Sequence, residues 1–337
     1  MTAASTLDSI QKMPLSKGIT AGLRKAMEED SKVVLIGEDI GKLGGVFRVT
    51  EGLQKDFGEQ RVIDAPLAES GIVGTAIGMA IRGYRPVVEI QFDAFVFPAY
   101  DQIVTQLAKL HARTRGKLNV PVVIRIPYGG GIGSPEHHSE SPETVFAHHA
   151  GLKIMTPSNA NDAYWMIQEA IKSPDPVIFF EPKRQYWLRG DVDLDNPATT
   201  AYSAHIARPG KDCTLVAYGP LVPQALDAAA AAAEEGVDLE VIDLRGLNPI
   251  DFPVIEESVK KTGRLVVAHE APVFLGLGSE IAARISERCF YHLEAPVLRV
   301  GAPHAPYPGS KLEQHYLPDL DRILDAVDRA MDFYGTQ

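Results

Sequence analysis

Short apolar runs bounded by glycine and proline alternate along the chain with longer amphipathic stretches. The spacing predicts a helix over residues 16–30, then a strand at Val33-Val34-Leu35-Ile36 that runs into Gly37-Glu38-Asp39. A second strand at Val62-Ile63 is stopped by Asp64-Ala65-Pro66, because proline restricts both itself and the residue before it. Directly behind it a glycine-dotted helix begins, with Glu69 in its first turn and Gly71, Gly74 and Gly78 on one face. Arg85 to Phe92 is the next strand; Glu89 interrupts its apolar run and should be paired, hydrogen-bonded or functional. A single long helix is expected from Ala94 to Arg115, carrying Phe95 and Asp101. Val120 to Ile126 is continuously apolar, the pattern of a strand covered on both faces. The polar loop from Tyr128 to Pro142 is too long for a plain connection and points to function. A strand at Lys153–Thr156, a helix at Asn159–Lys172 and a strand at Val177–Phe180 complete this half.

The stretch 184–210 is polar, proline-bearing and aperiodic. The strand–helix rhythm then restarts, with strands at Cys213–Tyr218, Leu239–Asp243, Leu265–Ala268 and Val297–Val300. One helix runs from Val222 to Glu235 through six consecutive alanines, and a last helix spans Leu320–Phe333. The expected fold class is α/β with two domains: a doubly wound parallel sheet with right-handed crossovers, then a smaller α/β unit. We place the first domain at 1–195, a linker at 196–210 and the second domain at 211–337.

A length of 337 residues agrees with two domains, at about 150 residues each. With 33 basic and 44 acidic side chains the formal charge is −11, which argues against a nucleic-acid or anionic-membrane partner. The N-terminal MTAASTLDSIQKMP has no apolar core of signal type, and no run of roughly 18 apolar residues occurs. The expectation is a cytoplasmic protein. Cys213 and Cys289 form neither a disulfide framework nor a metal knuckle, and both are expected in the core.

A nicotinamide-binding reading fails on the residues, because Gly129-Gly130-Gly131-Ile132-Gly133 lacks the GxGxxG spacing and leads into a long loop. There is no phosphate-binding GxxxxGK[ST], no GxSxG and no HExxH. The pairs His137-His138 and His148-His149 lack a thiolate or a clear third ligand for zinc. What remains is a set of acids at expected sheet edges: Glu38, Glu69, Glu89 and Asp101. Brought together in a partly dry site, like charges raise one another's proton affinity, and such a group can hold and relay a proton.

Eight segments carry a specific resemblance: Gly37-Glu38-Asp39, DAPLAESGIVG (64–74), EIQFDAFVFPAYDQIV (89–104), HHSESPE (137–143), IFFEPK (178–183), VIDLR (241–245), HEAP (269–272) and EAPVLRVGAPHAPYP (294–308). In order and spacing the chain resembles, from about residue 14 to its end, the β subunit of the thiamine-diphosphate-dependent 2-oxo acid dehydrogenases. It is more similar to the branched-chain type than to the pyruvate type at EIQF, SPE, FFEPK and HEAP.

The resemblance implies a transketolase-like pyrimidine-binding domain followed by a transketolase C-terminal-type domain for assembly and docking. It also implies an E1 enzyme that decarboxylates a 2-oxo acid on thiamine diphosphate and acylates the lipoyl group of E2, working as an α2β2 heterotetramer. The α subunit would grip the magnesium diphosphate; its GDG signature is lacking here, where only Gly190-Asp191-Val192 occurs, so this chain would supply half a site.

Glu69 matches the glutamate that bonds the pyrimidine N1′ and favours the imino tautomer. Phe95 matches the aromatic against the pyrimidine, and Leu67 and Gln91 its neighbours. Glu38, Glu89 and Asp101 match acids assigned to a proton relay between two cofactor sites. His138, with His137 as alternative, matches the loop histidine of acyl transfer. A structural potassium is implied near Val120, Val122, Val123, Ala170, Ser173 and Asp175. The glycine face of residues 71, 74 and 78 is expected at a subunit interface. The alternatives are a pyruvate- or acetoin-type β subunit, a self-sufficient transketolase-like enzyme, and a non-catalytic assembly subunit.

Overall fold

The computed structural model describes residues 10–197 and 200–333. Residues 1–9, part of the N-terminal stretch read above for a signal segment, lie outside the described residues, as do 198–199 of the linker and 334–337. Strand β1 (Ile10–Pro14) leads into helix α1 (Leu15–Glu29), strand β2 (Val33–Gly37), the short α2 (Leu53–Phe57), β3 (Val62–Asp64), α3 (Glu69–Ile81) and β4 (Arg85–Glu89). Next come α4 (Ala108–Arg113), β5 (Val123–Tyr128), α5 (Glu143–Ala147), β6 (Lys153–Met155), α6 (Ala160–Lys172), β7 (Val177–Pro182) and β8 (Arg189–Asp193). The second half holds β9 (His205–Arg208), β10 (Cys213–Ala217), α7 (Val222–Glu234), β11 (Leu239–Asp243), β12 (Gly246–Asn248) and α8 (Phe252–Thr262). It ends with β13 (Leu265–Pro272), α9 (Leu277–Arg288), β14 (Leu298–Ala302), α10 (Glu313–Tyr316) and α11 (Leu320–Met331).

The first sheet has the order β12-β6-β7-β5-β4-β2-β3, with β2 to β7 all parallel. The order β3-β2-β4-β5 sets the carboxyl ends of four neighbouring strands side by side, where open α/β sheets bind ligands. The second sheet, β14-β13-β10-β11-β9, is parallel except for the antiparallel edge strand β9.

Three features depart from the sequence-based expectation. The stretch 184–210, expected to be irregular, carries β8 and β9, which pair with β1 and β11; these are edge pairings that leave no hydrophobic alternation to read. Strand β12 lies in the second half of the chain yet extends the first sheet antiparallel to β6, so the two halves share a sheet and one continuous apolar core. The single helix expected at Ala94–Arg115 is instead a 3-10 turn at Asp93–Ala99, a π-helical turn at Gln102–Leu107, and α4. Pro98 lies inside that first turn, where it has no N–H to give a regular α-helix.

Two helices carry glycines at helical spacing, and the fold uses them differently. A Cβ on Gly18 of α1 would stand 2.6 Å from the Ala160 carbonyl oxygen, and one on Gly22 2.6 Å from that of Tyr164, so α1 and α6 cross backbone to backbone. On α3 a Cβ at Gly74 would lie 3.8 Å from the Gln102 side chain, and one at Gly78 would meet nothing within 4 Å among the described residues. Tight packing inside the chain therefore does not account for the α3 glycines. Cys213 and Cys289 are both fully buried among apolar side chains, and burial pushes the Cys213 thiol up to about 12.

Candidate active site

Glu38 follows β2 and Glu69 is the first residue of α3, which starts just beyond β3. The adjacent strand ends thus deliver both carboxylates to one edge. Both side chains are largely buried, and one Glu38 oxygen has no hydrogen-bond partner. Burial, then the negative charges of Glu69 and Asp39, raise the Glu38 carboxyl, while a hydrogen bond from the Ala68 amide works the other way. Gln91, just past β4, donates to Asp39 Oδ2 at 3.3 Å and to the Glu38 carbonyl at 3.5 Å.

Aromatic rings line the next strand end. Phe92 packs edge-on against Phe95 with centroids 5.6 Å apart, and the His138 ring lies 4.3 Å from Phe92 and 5.2 Å from Phe95. His138 Nδ1 is buried and unpartnered. Burial, the Lys183 charge and His137 hold its pKa below the usual imidazole value, which favours the neutral ring. Beneath these rings Lys183 donates to Asp93 at 2.5 Å, both fully buried, and burial pushes Asp93 up to about 6 against the pull of that ammonium. Leu67, 80% exposed, stands at the same edge in the loop between β3 and α3.

Two of the four acids stand apart from the Glu38–Glu69 edge. Glu89 is paired: Arg125 Nη1 donates to it at 2.6 Å and the same guanidinium binds Glu181 through Nε and Nη2. Tyr186 also donates to Glu181, at 2.5 Å. Burial and the second carboxylate raise Glu89, and Arg125 opposes them. Asp101 is exposed and accepts from the Thr105 hydroxyl at 2.9 Å. The structure therefore joins Glu38 with Glu69, seals Glu89 into a triad beside them, and leaves Asp101 on the surface.

The segment implied for potassium already makes hydrogen bonds and an ion pair within the chain. The Ala170 and Ser173 carbonyls already accept from the Ser173 amide and from Arg85, Val122 accepts from the Val177 amide, and Asp175 accepts from the Ser173 hydroxyl. The Lys153 ammonium lies 3.1 Å from the Asp175 carboxylate, so two side-chain cations already serve this segment. Repulsion between like charges disfavours an added ion there.

Sequence reasoning missed the Arg125–Glu181 pair, the Asp93–Lys183 pair and the contacts of Glu270 and Glu313 described below. A signal existed for the first: Arg125 and Glu181 interrupt apolar strands as Glu89 does. Cavities of about 870 and 920 Å³ lie elsewhere, and neither is lined by Glu38, Glu69 or Phe95. Around these buried acids Asp39, Leu67 and Ala68 are exposed.

Residues 11–187 match the family "Transketolase, pyrimidine binding domain", and residues 203–323 match "Transketolase, C-terminal domain". A pyruvate dehydrogenase E1 component subunit β from Leifsonia xyli is 60% identical over 325 residues, covering 96% of each chain. The chain belongs to the E1 β subunits of the 2-oxo acid dehydrogenases. Another such E1 β subunit, the 3-methyl-2-oxobutanoate dehydrogenase subunit β of Mycobacterium tuberculosis, is 50% identical over 330 residues, covering 98% of this chain and 95% of its own. The 2-oxoisovalerate dehydrogenase subunit β of Pseudomonas aeruginosa is 43% identical, with 96% of each chain covered. A solved "Split gene transketolase, inactive beta4 tetramer" has the same fold, with a TM-score of 0.78 at 23% identity over 95% of this chain and 98% of its own. As an E1 β subunit the chain is part of a thiamine-dependent oxidoreductase, and an unpartnered buried Glu38 oxygen beside Glu69 is chemically suited to a ring nitrogen such as that cofactor's pyrimidine carries.

Proposed function

We propose that this chain supplies the proton-handling half of a 2-oxo acid dehydrogenase site, completed by an α subunit in an α2β2 heterotetramer. The observation that carries the reading is the buried Glu38–Glu69 carboxylate edge, which among the described residues holds an oxygen with no hydrogen-bond partner. When bound, thiamine diphosphate supplies the carbon nucleophile and electron sink for decarboxylation. Glu69 would share a proton with the pyrimidine N1′, Phe95 would pack against the ring, and Leu67 and Gln91 would line the same site. Glu38, whose proton affinity burial and the charges of Glu69 and Asp39 raise, would exchange protons with Glu69. Glu89 contributes to a relay through its triad rather than by direct contact with Glu69, and Asp101 would join it from the surface. The magnesium diphosphate is assigned to the α subunit.

His138 acts in the transfer step. There the lipoyl S–S bond of E2 breaks, one sulfur takes the acyl group, the other takes a proton, and the two electrons come from the acyl carbon. An imidazole whose pKa burial and the nearby Lys183 and His137 lower is suited to take up that proton and pass it on.

The substrate we assign is a branched-chain 2-oxo acid, on the EIQF, SPE, FFEPK and HEAP segments and the relatives at 50% and 43% identity. The relative at 60% identity favours pyruvate as the second reading. Co-expression with an α chain and assay of 3-methyl-2-oxobutanoate against pyruvate decides between them. Turnover of neither substrate, or tight cofactor binding by this chain alone, would overturn the shared-site reading.

A further inference from the structure

The glycine run 129–133 resembles an anion-binding nest, and in this fold the anions are carboxylates of the second half of the chain. The Gly130 amide donates to Glu270 Oε1 at 2.5 Å, Gly131 donates to Glu313 Oε1 at 3.0 Å, and Gly133 to Glu313 Oε2 at 3.2 Å. Tyr307 donates its hydroxyl to Glu313 Oε1 at 2.6 Å. A Cβ at position 130 would lie 1.9 Å from that hydroxyl, and Gly129, Gly131 and Gly133 have φ of +81°, +85° and +72°, so glycine is required for the approach. Glu270 comes from β13, and Glu313 opens α10.

The same loop carries His138. Its far end is tied to the first domain, where the Glu140 amide donates to Asp93 at 2.7 Å, and it is closed on itself by the Gly129 amide to the Glu140 carbonyl at 2.9 Å. The Ser139 hydroxyl adds a bond to the Ser134 carbonyl at 3.0 Å. Its conformation is thus decided at two ends by different parts of the fold. Removal of the Glu313 carboxylate leaves two loop amides and a tyrosine hydroxyl without their acceptor, and the part of the loop before His138 loses its hold.

We propose that Glu313, braced by Tyr307 and helped by Glu270, is a positioning residue for acyl transfer: the second domain holds the glycine run so that His138 stands at the site. The inference rests on the transfer role given to His138 above. It predicts that damage to the latch separates the two half-reactions, because decarboxylation uses Glu69 and not the loop.

The test uses the enzyme assembled with its α chain and two assays: decarboxylation coupled to ferricyanide, and acylation of a purified lipoyl domain. Glu313→Ala should lower lipoyl-domain acylation at least tenfold and the ferricyanide rate less than threefold. Glu313→Gln, which keeps one acceptor oxygen, should fall between Glu313→Ala and wild type. Tyr307→Phe, which removes one hydroxyl, should shift the ratio in the same direction by about threefold and covers the case in which the alanine variant does not fold. Gln314→Ala, an exposed neighbour, should change neither rate. Equal losses in both assays, or no loss in either, would overturn the latch. His138→Asn separates the two ideas. If it lowers acylation while Glu313→Ala and Tyr307→Phe do not, the latch alone fails; if it leaves acylation unchanged, the transfer role of the histidine fails and the latch with it.

Discussion

Glu38 and Glu69 at the edge of the first sheet contrast with Glu89 and Glu181 inside it. Glu89 lies on β4 beside β2, whose end carries Glu38, and it shares the guanidinium of Arg125 with Glu181. Both carboxylates of that triad are paired with Arg125, whereas among the described residues no ion pair reaches the edge acids and one Glu38 oxygen has no hydrogen-bond partner. Buried charge is tolerable when paired and costly when not, and the proposed function gives the unpaired edge acids a ligand to bond. On the proposed reading the same residue type is structural in one place and chemical in the other.

The strongest test of the edge is Glu69→Gln. In the assembled enzyme it should lower decarboxylation by about 10²–10⁴-fold, the usual worth of a positioned acid–base group, and leave the thermal unfolding of the chain unchanged. Activity within tenfold of wild type would put the edge acids in the same class as the triad. For the interior, Arg125→Met strands two buried carboxylates and should destabilise the chain by about 3–5 kcal/mol in urea denaturation. A loss under about 1 kcal/mol would show that the triad is dispensable.

Glu143 is intermediate: fully buried, bonded by Tyr218 at 2.7 Å through one oxygen, with the other unpartnered. Burial pushes it up to about 7 from an ordinary 4.5. The folded state therefore binds the proton more tightly than the unfolded state, so stability falls as pH rises from 4.5 through about 7 and stays lower above. Glu143→Gln should remove that fall, on the order of 3 kcal/mol between pH 4.5 and pH 8 in denaturant titrations. An unchanged pH slope would reject the buried, unpaired description.

The smallest effects extend the contrast to the glycine helices. Gly22→Ala, which drives a methyl into Ile167 and the Tyr164 carbonyl, should cost about 1–3 kcal/mol. Gly78→Ala meets nothing within 4 Å and should stabilise the isolated chain by about 0.5–1 kcal/mol through helix propensity. If α3 packs on another subunit, the same change should weaken assembly, measured by analytical ultracentrifugation of the α–β mixture. Equal assembly for both proteins would remove the subunit-interface assignment of that face.

Apolar periodicity determined most of the architecture, because strands such as Val33–Gly37 and Leu239–Asp243 are short, fully buried and bounded by polar breaks. It also placed Glu38 and Glu69 where strands end, which are local events, whereas the roles proposed for them and for His138 rest on the family resemblance. Tertiary structure decided what each charge does. Nothing local in Glu89 reveals Arg125, which lies 36 residues away, and nothing in the glycine run reveals Glu313, a further 180 residues or so along. The fate of a glycine stripe, closed on α6 or left open on α3, was settled the same way. Local pattern records whether a position is wet or dry, while pairing and close approach depend on which distant segment folding brings against it.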